Sequence, residues 1–286
     1  MNDLAVLVGR NESGSMSPEL LHWPLGFLAA LAVAGTARKR RSLSVDGTVA
    51  AIALGTLLVG LSGWWAGTLI VVFFASSSVL SHTNKTESID QVRGSERDAV
   101  QVLANGGIAL LAAVLYAATG NGMWMTLLAG SIAAVNADTW STEIGRTSRS
   151  LPRLITTGKT VPAGTSGAIS PRGLLAALSG ATLIGVVAWI GWRTGWLPGT
   201  DSATLSAVAV IAGGFAGSLV DSLLGATIQE QRWCDTCGKH TEARIHRCGT
   251  LTRPIRGLRH VNNDIVNLSC GASGAIVACL LALVLG

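Results

Sequence analysis

Residues 203–223 read ATLSAVAVIAGGFAGSLVDSL, with one ionisable side chain, Asp221, in the whole run. A buried helix of a soluble protein rarely stays apolar for this long, whereas a helix crossing a bilayer needs about 20 such residues. Similar runs occur at 21–37, 45–61, 64–81, 104–119, 123–139, 173–192 and 264–285. They are continuous and do not alternate, which predicts helices and not strands of a barrel. The composition agrees: of 286 residues, 49% are hydrophobic and 13% charged, where soluble chains carry about 25% charged residues. Mean hydropathy is +0.48. The expected fold is therefore all-α and polytopic, with about eight transmembrane helices. The Gly, Ala and Ser within each run suit close helix packing in lipid.

The basic residues orient this bundle. Nineteen of the 21 Lys and Arg fall in alternate connections: after the first, third, fifth and seventh runs. The positive-inside rule then places both termini on the non-cytoplasmic side and the long loops, 82–104, 141–172 and 225–263, in the cytoplasm. Residues 1–20 form an N-terminal non-cytoplasmic segment, and 21–286 a single membrane-embedded domain. The apolar stretch LAVLV is too short for a signal peptide, and Asp3 stands where a basic residue belongs. The net charge of +5 is read as topological, with no nucleic-acid partner. The expected location is a plasma membrane or thylakoid-like inner membrane.

Acids are few inside the runs and sit at their cytoplasmic ends: Asp138 and Glu143 in NADTWSTEIG, Asp221 in GSLVDSLLGATIQ, and Asp264 in VNNDIVN. A charge within the membrane is costly, so acids on three helices at similar depth are expected to share a polar cavity with a cation. All-oxygen ligands suit Mg²⁺, with Asn136 and Asn263 adding amide oxygens. Thr139, Ser141, Ser222, Gln229, Asn262 and Asn267 supply further polar groups around that cavity. Anion-binding groups lie on the same side. The loop TTGKTVPAGTSGAISPRG carries Lys159, and its Gly164, Thr165, Ser166 and Gly167 offer backbone N–H groups to a phosphate. It is not a Walker A motif, because Arg153 occupies the first glycine position and no strand is expected before it. In SHTNKTESIDQVRGSERDAVQVLAN, Lys85, Arg93 and Arg97 are candidate phosphate contacts. A helix from about residue 95 would align Arg97, Gln101 and Asn105 as a stripe. Finally, Cys234, Cys237, His246 and Cys248 have the composition of a zinc knuckle.

Five motifs, NKTESIDQVRGSERDAVQVLANGG, NADTWSTEIG, TGKTVPAGTSGAISPRG, GSLVDSLLGATIQ and HRCG…NNDIVN, occur in this order. In them the chain resembles the transmembrane-protein-nineteen family of integral membrane proteins, over about residues 25–285. That family includes the phytyl-phosphate kinase of tocopherol synthesis. The resemblance implies transfer of a phosphoryl group from a nucleoside triphosphate, CTP or ATP, to an isoprenoid lipid monophosphate, with Mg²⁺ as cofactor. Asp138, Glu143, Asp221 and Asp264 would hold the metal, and Lys85, Arg97 and Lys159 would neutralise phosphate charge. The isoprenoid tail would lie between spans, reached sideways from the bilayer, with membrane lipids as further partners. Two other readings stay open: a transporter of a cation or phosphate compound, and a CTP-using lipid cytidylyltransferase. Homo-oligomerisation is also left open.

Overall fold

Lipid offers no hydrogen-bond partners, so each apolar run must satisfy its own backbone as a helix. The computed structural model, which describes residues 18–83, 96–148, 150–241, 243–246 and 248–285, has one helix for every run. These are α1 (Pro18–Lys39), α2 (Val45–Ser62), α3 (Trp64–Thr83), α4 (Ala99–Thr119), α5 (Met123–Gly145), α6 (Pro171–Arg193), α7 (Ala203–Thr227) and α8 (Asn263–Leu285). Six of them, α2 to α4 and α6 to α8, are long and apolar enough to cross a membrane. The other two belong to the same bundle, and α5 interrupts its apolar run with Asn136 and Asp138. The position of α5 permits this. It packs against α4, α6, α7 and α8, and residues 128–137 are all buried. A helix enclosed by protein can carry Asn136, Asp138 and Glu143 without showing them to lipid.

The innermost helices touch backbone to backbone. A Cβ on Gly217 of α7 would lie 2.6 Å from the Ala134 Cβ of α5 and 2.7 Å from the Cys270 carbonyl oxygen of α8. A Cβ on Gly274 of α8 would lie 2.4 Å from Ala134, and one on Gly130 of α5 would lie 2.6 Å from Ala278. These contacts set α8 antiparallel to α5 and α7. Contacts of Gly180 with Asn136 and Ala137, and of Gly185 with Ile211, set α6 antiparallel to both as well. The result places the ends of α5 and α7 and the starts of α6 and α8 at one loop-rich end of the bundle.

The loops at that end are more structured than the sequence suggests. α5 runs on to Gly145, and α4 starts at Ala99. The start of α4 corrects the expected Arg97–Gln101–Asn105 stripe. Asp98 caps the helix, accepting from the Gln101 N–H while its own N–H donates to the Gln101 side chain. Arg97 therefore precedes the helix, in extended backbone bridged to Leu43. Loop 146–170 contains a two-residue ladder, β1 (Arg153–Leu154) against β2 (Ala168–Ile169). A short strand thus does precede Gly158, but the chain after it returns to β2 and opens no helix there. Loop 228–262 holds a three-stranded antiparallel sheet, with β3 (Gln231–Cys234) between β4 (Lys239–Thr241) and β5 (Arg253–Arg256).

Candidate functional site

The Gly217–Ala134–Cys270 contact brings two acids together. One helical turn beyond Ala134 comes Asp138, and one turn beyond Gly217 comes Asp221, on parallel helices in backbone contact. Their carboxyls are close enough to hydrogen-bond to each other, and Cys270 of α8 lies in their electrostatic range. Both acids are partly accessible. Arg146, at the C-terminal end of α5, acts electrostatically on Asp138. Asn267 and Asp264 precede Cys270 by one and two turns of α8, at the same end.

The four acids do not form a single cluster. Glu143 accepts the Ser81 hydroxyl at 2.8 Å and attracts Arg97. Asp264 is buried and accepts from the Asn262 amide at 3.1 Å, while Asn262 caps α8 by accepting from the Ile265 N–H. Asn136 has both ends of its amide engaged. It donates to the Gly180 carbonyl at 2.8 Å and accepts from the Ser76 hydroxyl at 3.1 Å and the Ser77 hydroxyl at 3.4 Å. It ties α3, α5 and α6 together. Thr139 bonds back to Val135 within α5, and Ser141 lies against Gly173 at the start of α6. Ser222 is half-buried, one residue past Asp221.

Arg97 joins this polar end to an apolar one. A cavity of about 240 Å³ lies among α1 to α4, walled by residues such as Leu43, Leu54, Phe73 and Phe74. Arg97 is the charged residue of its described lining, and Asn105 is a polar neighbour there. The guanidinium sits 5.3 Å over the Phe74 ring and donates to the Ser78 hydroxyl at 3.3 Å. Burial lowers its pKa from the usual arginine value and Glu143 opposes the shift; an arginine stays charged regardless. Sequence reasoning misses the serines of α3, Ser76, Ser77, Ser78 and Ser81, as site residues. Their signal is the SSS triplet at 76–78 in an otherwise apolar run.

The glycine-rich loop docks on the end of α7. Ser166 donates to the Gln229 side-chain oxygen at 2.5 Å, and the Gln229 amide reaches Asn263 at 3.4 Å. A Cβ on Gly167, which has φ +79°, would strike Ala226, so glycine is required where the loop meets the end of α7. Gly164 has φ +87° and open space around it, Thr165 bonds to Pro162, and Lys159 is exposed. Arg256, which sequence reasoning also misses, donates to the Gly225 carbonyl at 2.8 Å. It supplies the basic partner that the C-terminal turn of α7 lacks in its own sequence. Lys85 and Arg93 lie outside the described residues.

Apart from these groups, Cys234, Cys237, His246 and Cys248 converge, with one ligand atom from each within 4.8 Å of the others. Hydrogen bonds with Thr250 and His246 lower the Cys248 thiol to about 6, while Cys237, hydrogen-bonded to Cys248, is pushed up to about 11.

Known proteins resemble this chain over most of its length. Protein PGR of Arabidopsis thaliana is 35% identical over 256 residues, covering 80% of this chain and 85% of that one. An uncharacterized membrane protein, MJ0933, of Methanocaldococcus jannaschii is 35% identical over 198 residues, covering 68% and 78%. Protein VTE6, chloroplastic, of Arabidopsis thaliana is 27% identical over 248 residues, covering 84% and 65%. No solved structure matches. Residues 28–275 match the family described as integral membrane protein DUF92, and the chain belongs to that family.

Proposed function

We propose that this protein is an integral membrane lipid-phosphate kinase. It would transfer the terminal phosphoryl group of a nucleoside triphosphate, CTP or ATP, to an isoprenoid monophosphate of the phytyl-phosphate type. The observation that carries this reading is the position of Arg97. One side of it lines an apolar cavity and the other faces Glu143, at the bundle end that also holds the Asp138–Asp221 pair. A hydrocarbon tail fits the cavity, and the headgroup phosphate then meets a fixed cation. The motif resemblance to the transmembrane-protein-nineteen family supports the same chemistry.

The donor set at Asp138 and Asp221 fits Mg²⁺. Two carboxyls in hydrogen-bond contact share a proton or a cation, and Mg²⁺ takes one or two carboxylates while keeping water and phosphate oxygens. When bound, the ion would neutralise the triphosphate as charge moves onto the leaving phosphate. Asp264 and Asn267 on α8 extend the oxygen surface, with Asn263 linked through Gln229. We leave Asn136 outside the metal set, because its amide is engaged at both ends. The loop around Ser166 and Gly164, with Lys159, is assigned to the nucleotide phosphates. The acceptor phosphate oxygen attacks the terminal phosphorus, the bond to the bridging oxygen breaks, and the nucleoside diphosphate leaves. No side-chain base is needed, because the acceptor is already an anion.

Purified protein in detergent, given Mg²⁺, labelled CTP or ATP and a panel of prenyl monophosphates, is expected to yield prenyl diphosphate and nucleoside diphosphate. Release of pyrophosphate instead would assign a cytidylyltransferase. Vesicle uptake of the phosphate compound without turnover would assign a transporter.

A further inference from the structure

We propose that Cys234, Cys237, His246 and Cys248 bind a single structural zinc ion, and that this ion folds the 228–262 segment against the ends of α7 and α8. Core size, ligand geometry and backbone turns each point to it.

The segment has almost no core of its own. Among the described residues between 228 and 262, Cys234 is the one buried apolar side chain, while Ile245, Leu251, Ile255 and Leu258 are exposed. A module of this size cannot be held by apolar burial, and chains below about 40 residues usually need a metal or disulfides. Disulfides do not serve here. All five cysteines are free, and the Cys234 and Cys248 sulfurs stand 3.6 Å apart, beyond any S–S bond.

The four ligands have the geometry of a metal site. With Zn–S bonds of about 2.3 Å, two thiolates on a tetrahedral zinc lie roughly 3.8 Å apart, close to the observed separation. The His246 Nδ1 is 3.2 Å from the Cys248 sulfur. All four ligand atoms lie within 4.8 Å of one another.

The backbone builds the site twice. Cys234 and Cys237 flank a turn closed by the Gly238 N–H to the Cys234 carbonyl at 2.9 Å, with Gly238 at φ +63°. His246 and Cys248 flank a second turn, closed by the Gly249 N–H to the His246 carbonyl at 2.8 Å, with Gly249 at φ +82°. Each turn places a cysteine directly before a left-handed glycine, and the ligand atoms of the two turns converge. Two such knuckles facing each other form a closed four-ligand site, the structural type, with no position left for substrate.

The sheet carries this order to the bundle. From β3, Arg232 donates to the Thr252 hydroxyl at 2.8 Å, four residues after Cys248. β5 then delivers Arg256 to the Gly225 carbonyl of α7. The Glu230 N–H donates to the Val261 carbonyl at 2.7 Å, just before the Asn262 cap of α8. The zinc thus holds the strap that joins α7 to α8, independently of which lipid or nucleotide the bundle uses.

The test uses the full chain in detergent, purified without chelator, with metals measured by plasma mass spectrometry. Wild type and a Cys279→Ser control are expected to carry about one zinc per chain, and Cys237→Ser and Cys248→Ser to lose most of it. Stripping wild type with a zinc chelator is expected to open 228–262 to limited proteolysis while helical circular dichroism persists. Returning Zn²⁺ is expected to restore protection. Wild type free of zinc, zinc retained at full stoichiometry in Cys237→Ser, or proteolysis unaffected by stripping would each overturn the proposal. Because these readouts are metal content and cleavage, they stand apart from any assay of kinase activity.

Discussion

Three residues carry the proposed chemistry at the smallest scale. Asp138 and Asp221 touch each other because Ala134 and Gly217 touch one turn earlier, so their pairing is a consequence of packing. Asp138→Asn and Asp221→Asn are each expected to lower turnover at least about 100-fold, since ligand and charge losses at a metal site cost several kcal/mol. Steady-state rates at saturating Mg²⁺ check this, with circular dichroism confirming an intact bundle. Arg97→Gln is expected to raise KM for the lipid phosphate by about 10- to 100-fold, the loss of a charge-assisted hydrogen bond, with KM for the nucleotide little changed. Asn136→Leu tests the contrary kind of residue. It leaves the Gly180 carbonyl without its side-chain donor and removes the acceptor that Ser76 and Ser77 share, Ser76 keeping the Phe73 carbonyl, a loss of about 1–3 kcal/mol. The expected effect is a lower unfolding midpoint in detergent. The apolar pattern at 123–139 predicts a helix here but gives no sign that Asn136 is consumed as a clamp. Its partners, Ser76, Ser77 and Gly180, are 60, 59 and 44 residues away.

At the scale of elements, small residues decide how near the acids approach. Gly217→Val is expected to push α7 away from α5 and α8. Overpacking of this kind costs about 1–3 kcal/mol or more and also separates Asp138 from Asp221. Gly35→Ala is the matched control, because nothing lies within 4 Å of a Cβ built there. It is expected to be neutral or to stabilise α1 by up to about 1 kcal/mol. Thermal unfolding of both variants distinguishes the two environments. Helix positions are legible in the sequence because apolar runs of about 20 residues leave the chain little choice. Helix ends are less so: Asp98 and its reciprocal bonds with Gln101 start α4 at Ala99, and this takes Arg97 out of the expected stripe. The sheet in 228–262 is not legible either. Its strands are three or four residues long and lack an alternating apolar face, as expected where side chains other than hydrophobic ones hold the fold.

For the whole molecule, antiparallel packing gathers the four acids, Arg97, the glycine-rich loop and the cysteine strap at one end. Positive-inside counting groups the same loops, because nineteen of 21 basic residues lie in alternate connections. That end is expected to face the cytoplasm. Cysteines introduced at exposed Ser150, on that end, and at exposed Asn121, on the other, are expected to react with a membrane-impermeant maleimide from opposite sides of the membrane. Labelling of Ser150→Cys from the outside would reverse the orientation.

In the proposed reaction the Asp138–Asp221 end transfers phosphate to a lipid held with its phosphate at Arg97. The most direct measurement is product identity from purified wild type, Asp221→Asn and Arg97→Gln supplied with Mg²⁺, γ-labelled CTP or ATP, and phytyl monophosphate. Labelled phytyl diphosphate is expected from wild type, almost none from Asp221→Asn, and recovery in Arg97→Gln as lipid concentration is raised. Folded wild type that transfers no label to any prenyl phosphate, or equal labelling by wild type and Asp221→Asn, would overturn this function.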